Sequence, residues 1–419
     1  MERAQQQTKG QNNVCIVAAK RTPMGKFQGA LSHISATELG SVAIADAIDA
    51  VGMTPSLVDE VLMGCVLSAG LGQAPARQAA IGAGFETHTP CTTVNKVCGS
   101  GMKAVMLAST QIQAGEADCV VAGGMESMSN APYLLNGARS GLRIGHHQTH
   151  DHMFTDGLQD AYEGELMGVF GQRTADKLGY SRQQMDSWAT RSASRAKDAV
   201  GNHLFQSEIC NLTSRDGHFI DEDELPNTIK LEKIPALKPA FKVNGSITAA
   251  NSSAISDGAA ALVLMSENKA LELGMAPVAV IKGFTTTARQ PSEFTLAPVD
   301  AVRKLLDKLQ WQSGDVDLWE INEAFAVVTQ IAIDTLGLDE AKVNVNGGAC
   351  ALGHPIGASG ARIVVTLIHA LQSRAAKRAS GDPFKGIATL CIGGGEATAI
   401  AIEVSPVGVG TQKKGGGGE

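Results

Sequence analysis

The chain has 419 residues, of which 18% are charged, and a formal net charge of −7. That balance argues against a general affinity for nucleic acid or an anionic membrane surface and leaves room only for a local basic patch. No apolar run reaches the ~18 residues that would suggest a membrane span, and Met1 to Asn13 are polar without an apolar signal core, so a soluble, untargeted chain is expected.

Aromatic residues make up only 4% of the chain while glycine numbers 47, so packing must lean on small and aliphatic side chains with closely approaching backbones. The length allows two or three domains of ordinary size. Cys15, Cys65, Cys91, Cys98, Cys119, Cys210, Cys350 and Cys391 are scattered without a Cys-x-x-Cys pair, which suggests neither a zinc site nor a dithiol motif. Without a secretory signal, free thiols in a reducing cytosol are the default, so a cytoplasmic location is expected. Residues 1–13 and 406–419, the latter ending in Lys413-Lys414 and four glycines before Glu419, are expected to be flexible tails.

In chain order, Val14 to Ala19 forms an apolar strand broken by Arg21-Thr22-Pro23, and a helix begins near Ser35 or Thr37, either of which can cap it. Val61 to Gly64 is a buried strand, Gln73 to Gly82 a small helix, and Cys91 to Val94 a strand that delivers Cys98 to an apolar helix. Asp118 to Gly124 is a further apolar strand ending in a glycine pair. From Glu126 to about Gly245 the sequence turns polar and loop-rich, with amphipathic helices at Gly168–Leu178 and Arg182–Val200; that is too long for one loop and marks an inserted subdomain. The chain then returns through Asn251 to a strand after Asp257.

The succession repeats with strands at Val278–Ile281, Asp317–Ile321, Val343–Val345 and Ile387–Leu390 and helices at Val299–Leu309, Glu323–Leu336 and Ser359–Leu371. Leu57-Val58-Asp59-Glu60-Val61 echoes Val316-Asp317-Leu318-Trp319-Glu320, which supports an internal duplication. Alternating strands and helices predict two βαβαβ units with mostly parallel, buried sheets. Cys98 and Ser359 are each expected to open a small-residue helix through which the halves pack.

Four segments carry chemistry. Asn95-Lys96-Val97-Cys98-Gly99-Ser100-Gly101 places a thiol at a helix start, where the backbone dipole favours thiolate. Asn322-Glu323-Ala324-Phe325, the glycine-rich corner Gly353-His354-Pro355-Ile356-Gly357, and Leu390-Cys391-Ile392-Gly393-Gly394-Gly395 follow. Each has a bland alternative: a core cysteine, a loop histidine, or an asparagine in an ordinary turn. Together and in this order they resemble the thiolases, which move acyl groups to and from coenzyme A, over nearly the whole chain from about Val14 to Val404.

The resemblance implies an α/β fold of two duplicated βαβαβ halves stacked as a five-layer αβαβα sandwich. Residues 14–125 with 246–275 would form the first half, 276–405 the second, and 126–245 a loop subdomain that covers coenzyme A. It implies Cys98 as the acyl-carrying nucleophile, His354 as the base that takes its proton, and Cys391 as the second proton-transfer group needed to make or break a carbon–carbon bond. The amides of Cys98 and Gly393 would stabilise one thioester oxyanion, and His354 with a water held by Asn322 the enolate. Ser253 and Phe241 match positions that contact the pantetheine arm, Leu166-Met167-Gly168 the acyl pocket, and Phe325 is placed with the coenzyme-binding residues. Coenzyme A enters as substrate and product; no permanently bound cofactor or metal is expected, and a homo-oligomer, dimer or tetramer, is.

Two departures bear on the substrate: Leu166 stands where short-chain members often carry histidine, and Pro226 near where some place an arginine. Lys230, Lys233, Lys238 and Lys242 could meet nucleotide phosphates or form a solvated face. The activity implied is interconversion of two acetyl-CoA with acetoacetyl-CoA and CoA. The alternatives are a broader 3-ketoacyl-CoA thiolase of fatty-acid breakdown, a silent acyl-CoA or lipid carrier, and a β-ketoacyl synthase. His146-His147-Gln148-Thr149-His150-Asp151-His152 also resembles the His-His-x-x-x-Asp-Gly signature of another acyltransferase family, with His152 in place of its glycine; the cluster could instead bind a metal or belong to a loop by which thiolase dimers pair.

Overall fold

The computed structural model describes residues 13–213, 217–375 and 381–406, so the expected tails lie almost wholly outside the described residues. The apolar stretch at Val14 becomes strand β1 (Val14–Arg21). Ser35 caps helix α1 (Ala36–Asp49) through a reciprocal pair of bonds with Glu38. The first half continues through β2 (Glu60–Gly64), α2 (Pro75–Gly82), β3 (Cys91–Val94), α3 (Ser100–Ala114) and β4 (Cys119–Ser127). A long excursion containing α4 (Met167–Leu178) and α5 (Arg182–Gly201) leads to β5 (Ser256–Ser266). The second half runs β6 (Ala279–Ala288), α6 (Ala297–Leu309), β7 (Leu318–Ile321), α7 (Ala326–Leu336), α8 (Ile356–Ala375), β8 (Phe384–Ile392) and β9 (Glu396–Val404).

The strands join in one ten-stranded sheet, ordered β7-β8-β9-β6-β1-β5-β4-β2-β3, with the short strand Gly25–Lys26 paired to β5. β1 meets β6 antiparallel from Val14↔Ile281 to Ile16↔Ala279, and this seam joins the halves. Outward from it the order β1-β5-β4-β2-β3 is repeated as β6-β9-β8-β7, with a single bridge from Val343 to Trp319 where a fifth strand would lie. The strand expected at Val343–Val345 is thus reduced to one bridge. Asn344 takes a left-handed φ of +46° and its side chain bonds both backbone groups of Ile321, replacing the ladder.

The sheet is mixed rather than mostly parallel. β2 runs parallel to β3 and β4, and β7 to β8, whereas β1, β5, β6 and β9 run against their neighbours. The connections explain it: the Gly393–Gly395 turn is a hairpin too short for a crossover, and the excursion after β4 brings β5 back in the opposite direction. β9, whose buried residues follow that turn, went unrecognised in the sequence because the glycines mask a strand continuing behind them.

Three apolar clusters define the layers. One packs α1 and α2 on the outer face of the first half through residues such as Leu39, Ile44 and Ala79. A second packs α6 and α7 on the second half through Val302, Leu305 and Ile331. Between them α3 and α8 share a core with strands of both halves, including Met102, Ile363, Val120 and Leu390. The two central helices touch backbone to backbone, since a Cβ on Gly360 would stand 2.5 Å from Met102 N and one on Gly101 2.9 Å from Ala361 N. Helices, first-half strands, helices, second-half strands, helices is the five-layer order, the two sets of strands being the two halves of the one sheet.

Several ends shift. α8 begins at Ile356, so Ser359 lies in its first turn rather than opening it. α7 begins at Ala326 because Phe325 is extended (φ −143°, ψ 147°) and serves as its cap. The excursion is tied to β1 by fully buried Arg21, whose guanidinium meets Glu208 at 2.6 Å and both oxygens of Asp223 at 2.7 and 2.8 Å. Among the described residues no helix is long and apolar enough to cross a membrane.

Candidate active site

β3 and α3 set Cys98. The strand ends at Val94, the chain turns sharply with Val97 at φ +47°, and Gly99 caps the helix, so Cys98 stands one residue before the cap rather than in the first turn. The N–H groups of Gly393 and of Cys98 itself point at its sulfur. Desolvation nevertheless pushes the thiol up to about 11, outweighing these donors. The resting group is therefore a thiol, contrary to the thiolate expected from the helix dipole, and it needs a base.

His354, which lines the same cavity as Cys98, is the candidate. Gly353, at φ +98°, turns the chain into the corner, and the His354 N–H donates to Ala254 O at 3.0 Å. Nδ1 lies 2.5 Å from Ser359 Oγ, and that hydroxyl donates to Pro355 O at 2.9 Å. A hydroxyl has one proton, so Ser359 accepts from the ring, Nδ1 carries the hydrogen, and Nε2 holds the lone pair. Nε2 is buried without a hydrogen-bond partner among the described residues. Burial, and then the charge of Arg362, pushes this imidazole down to about 3, which keeps it neutral across the physiological range.

Cys391 is the penultimate residue of β8 and is 1% exposed. Burial first, and the neighbouring Cys98 second, raise its thiol well above the ordinary range, so it rests as a proton donor. Asn322 follows β7 and its N–H donates to Thr389 O at 3.0 Å. Its side-chain oxygen and nitrogen are both buried without partners among the described residues, a pattern met where an amide serves a water or ligand.

Cys98, His354, Cys391 and Gly393 line one cavity of about 60 Å³, together with Met167, Ser253 and Phe325. A second, mostly apolar cavity of about 200 Å³ shares His354, Met167, Ser253 and Phe325 and adds Leu166 and Phe241. Asn322 lines neither. Phe325 forms a wall with edge-on contacts to Phe241 (6.1 Å between centroids) and Phe294 (6.3 Å). Gly168 lies flat beneath Phe241, where a Cβ would stand 2.2 Å from the ring.

The sequence reading missed several groups. Leu158, Phe294 and Ile356 complete the inner wall. Glu323 is buried and accepts from Trp188 Nε1, Ser192 Oγ, Asn344 Nδ2 and the Cys350 N–H, which anchors the segment carrying Asn322. Glu126 accepts from the N–H groups of Val66, Leu67 and Gly357, binding the end of β4 to the start of α8; burial holds its carboxyl at about 7. A lone carboxylate inside an apolar run was the available signal for both. Lys242 is paired with Asp176 at 2.6 Å, while Lys230, Lys233 and Lys238 are exposed. In the histidine cluster His146, His147 and His150 are exposed, and His152 Nδ1 lies 2.6 Å from Asp156. No group of three or more histidine, cysteine or acidic side chains is placed to hold a metal among the described residues.

The family description "Thiolase, N-terminal domain" matches residues 14–268, and "Thiolase, C-terminal domain" matches 275–404. The chain belongs to the thiolase family. A probable acetyl-CoA acetyltransferase of Dictyostelium discoideum is 47% identical over 94% of this chain and 95% of that protein. The acetyl-CoA acetyltransferase of Chromobacterium violaceum is also 47% identical, over 93% and 99%. Among solved structures, Acat5 thiolase from Ascaris suum in complex with coenzyme A superposes with a TM-score of 0.88 at 41% identity, covering 94% of this thiolase and all of that chain.

Proposed function

We propose that this thiolase interconverts acetoacetyl-CoA plus CoA with two molecules of acetyl-CoA through an acetyl-Cys98 intermediate. One observation carries the reading: the Cys98 sulfur from the first half and the His354 imidazole and Cys391 sulfur from the second, far from it in sequence, line a single small cavity that shares its wall with a larger apolar one. The relatives named acetyl-CoA acetyltransferase agree with it.

In the direction of cleavage, His354 Nε2 takes the Cys98 proton and the thiolate attacks the 3-keto carbon of acetoacetyl-CoA. The C2–C3 bond breaks, leaving acetyl-Cys98 and the enolate of acetyl-CoA, which takes its proton from Cys391. An incoming CoA thiol gives its proton to the Cys391 thiolate and attacks acetyl-Cys98. The second acetyl-CoA departs and Cys98 recovers its proton from His354. The resting protonation states, two thiols and a neutral imidazole, fit this starting point. The amides of Cys98 and Gly393 serve the tetrahedral oxyanion, and His354 with a water on Asn322 serves the enolate.

Coenzyme A enters along the larger cavity past Ser253, Phe241, Met167, Leu166 and Phe325, covered by residues 126–245, with 14–125 plus 246–275 and 276–405 as the two halves. The small inner cavity favours an acetyl group over longer acyl chains. The enzyme works as a cytoplasmic homo-oligomer of lipid metabolism, a tetramer by family pattern, with no permanently bound cofactor. A thiolysis panel of 3-ketoacyl-CoA substrates, run with intact mass of the acyl-enzyme, tests it: a 42 Da adduct on Cys98 (the mass of an acetyl group, about 42 Da) and ping-pong kinetics are expected, and normal thiolysis by Cys98→Ala would end the reading.

A further inference from the structure

Lys96 stands two residues before Cys98, and Glu396 follows the glycine turn that holds Gly393. Their side chains are ion-paired although they lie 300 positions apart in sequence, at 20% and 35% exposure. The mechanism above gives this pair no part.

The pair sits where the two loops press together. A Cβ on Gly99 would stand 2.4 Å from Ile392 Cδ1, and one on Gly393 3.5 Å from Val97 Cγ1. The Cys98 loop is shaped from within by Val97 N–H to Asn95 Oδ1 at 3.0 Å, Lys96 N–H to Ser100 Oγ at 2.8 Å and Ser100 Oγ–H to Val97 O at 2.6 Å. None of these bonds reaches the other half of the molecule. Val97 is β-branched yet held at φ +47°, a conformation that persists only where the surroundings enforce it. Among the described residues, Lys96–Glu396 is the ion pair that crosses from this loop to the glycine turn.

We propose that Lys96 and Glu396 are a positioning pair, whose contact locks the Cys98 loop onto the glycine turn and so sets where the Gly393 N–H lies relative to Cys98 and the reacting carbonyl. The inference rests on the thiolase reaction assigned above. A donor aimed at developing charge loses effect with small displacements, whereas a partly exposed ion pair adds little to overall stability. Activity and stability should therefore separate.

The test uses the full chain with Lys96→Met, Glu396→Gln, Lys96→Arg and the reversal Lys96→Glu/Glu396→Lys. Each uncharged single should lower kcat for acetoacetyl-CoA thiolysis about tenfold with KM within about twofold and an unchanged melting temperature, the mark of an interaction felt in the transition state. The reversal should recover most of that loss, and Lys96→Arg should retain nearly all of kcat even if the reversal folds poorly. Singles within about twofold of the parent, or a reversal as slow as the product of the singles, would overturn the proposal.

Alkylation of Cys98 by iodoacetamide gives a readout that needs no turnover. Removing a positive or a negative charge moves thiol reactivity in opposite directions, whereas a displaced Gly393 N–H slows both singles. Same-direction slowing supports positioning, and opposite or absent changes sink it. Absence of thiolysis in the parent enzyme would instead sink the reaction assignment, with the alkylation result still deciding the pair.

Discussion

Ser359 accepts a hydrogen bond from His354 Nδ1 across 2.5 Å, because its own proton is committed to Pro355 O at 2.9 Å. The arrangement fixes which ring nitrogen is free to act as base. In Ser359→Ala the ring can take either tautomer and Nδ1 loses its buried partner. We expect kcat for thiolysis to fall about 10- to 100-fold, with alkylation of Cys98 at pH 10, which needs no base, unchanged. A Ser359→Ala enzyme with parental kcat would show that the tautomer is set by something else.

Glu126 ties the end of β4 to α8 through the Gly357 N–H and to the segment after β2 through the N–H groups of Val66 and Leu67, and burial raises its carboxyl to about 7. A carboxyl whose folded pKa is raised stabilises the fold below its unfolded value, near 4.5, and that contribution is lost as pH climbs through about 7. The parent should thus lose roughly 3 kcal/mol relative to Glu126→Gln between pH 5 and pH 9. Urea midpoints of both proteins at the two pH values check this, and a pH-independent difference would refute it.

His354 runs with the opposite sign. Its folded value near 3 lies below the ordinary 6.5, so the unfolded chain binds the extra proton. The stability it confers is complete above about pH 6.5 and is lost as pH falls toward 3. In His354→Gln this contribution to acid sensitivity should vanish, which a series of melting temperatures from pH 7 to pH 4 would reveal as a shallower decline than in the parent.

Arg21 is fully buried between Glu208 and Asp223. Arg21→Met strands both carboxylates and should destabilise the protein by about 3–5 kcal/mol. Replacing all three, with Glu208→Gln and Asp223→Asn, should restore much of that loss. Chemical denaturation of the three proteins reads the result; a triple variant no better than the single would place the damage elsewhere.

Leu158 lines both the inner and the outer cavity. Leu158→Ala should open the inner one and raise the kcat/KM ratio of 3-ketohexanoyl-CoA to acetoacetyl-CoA by about tenfold. Leu166 borders only the outer cavity, so Leu166→Ala should leave that ratio within about twofold of the parent.

The chain by itself determined the alternation of strands and helices, the cap of α1 to within Ser35 or Thr37, and the chemistry-bearing segments around Cys98, Asn322, His354 and Cys391. These follow from local rules: apolar periodicity, capping side chains, and small residues flanking a reactive group. Tertiary structure decided the rest. Whether strands run parallel depends on where a connection leads, which is why the Gly393 turn and the β4–β5 excursion made a mixed sheet. Protonation was decided the same way, since desolvation by residues distant in sequence overrides the dipole of a single helix at Cys98 and sets which nitrogen of His354 is free. Leu158 carries no local signature, because a cavity wall exists only once its segments have met; Glu126 and Glu323 stand out locally only as lone carboxylates in apolar runs, and the donors each gathers come from segments that meet only in the fold.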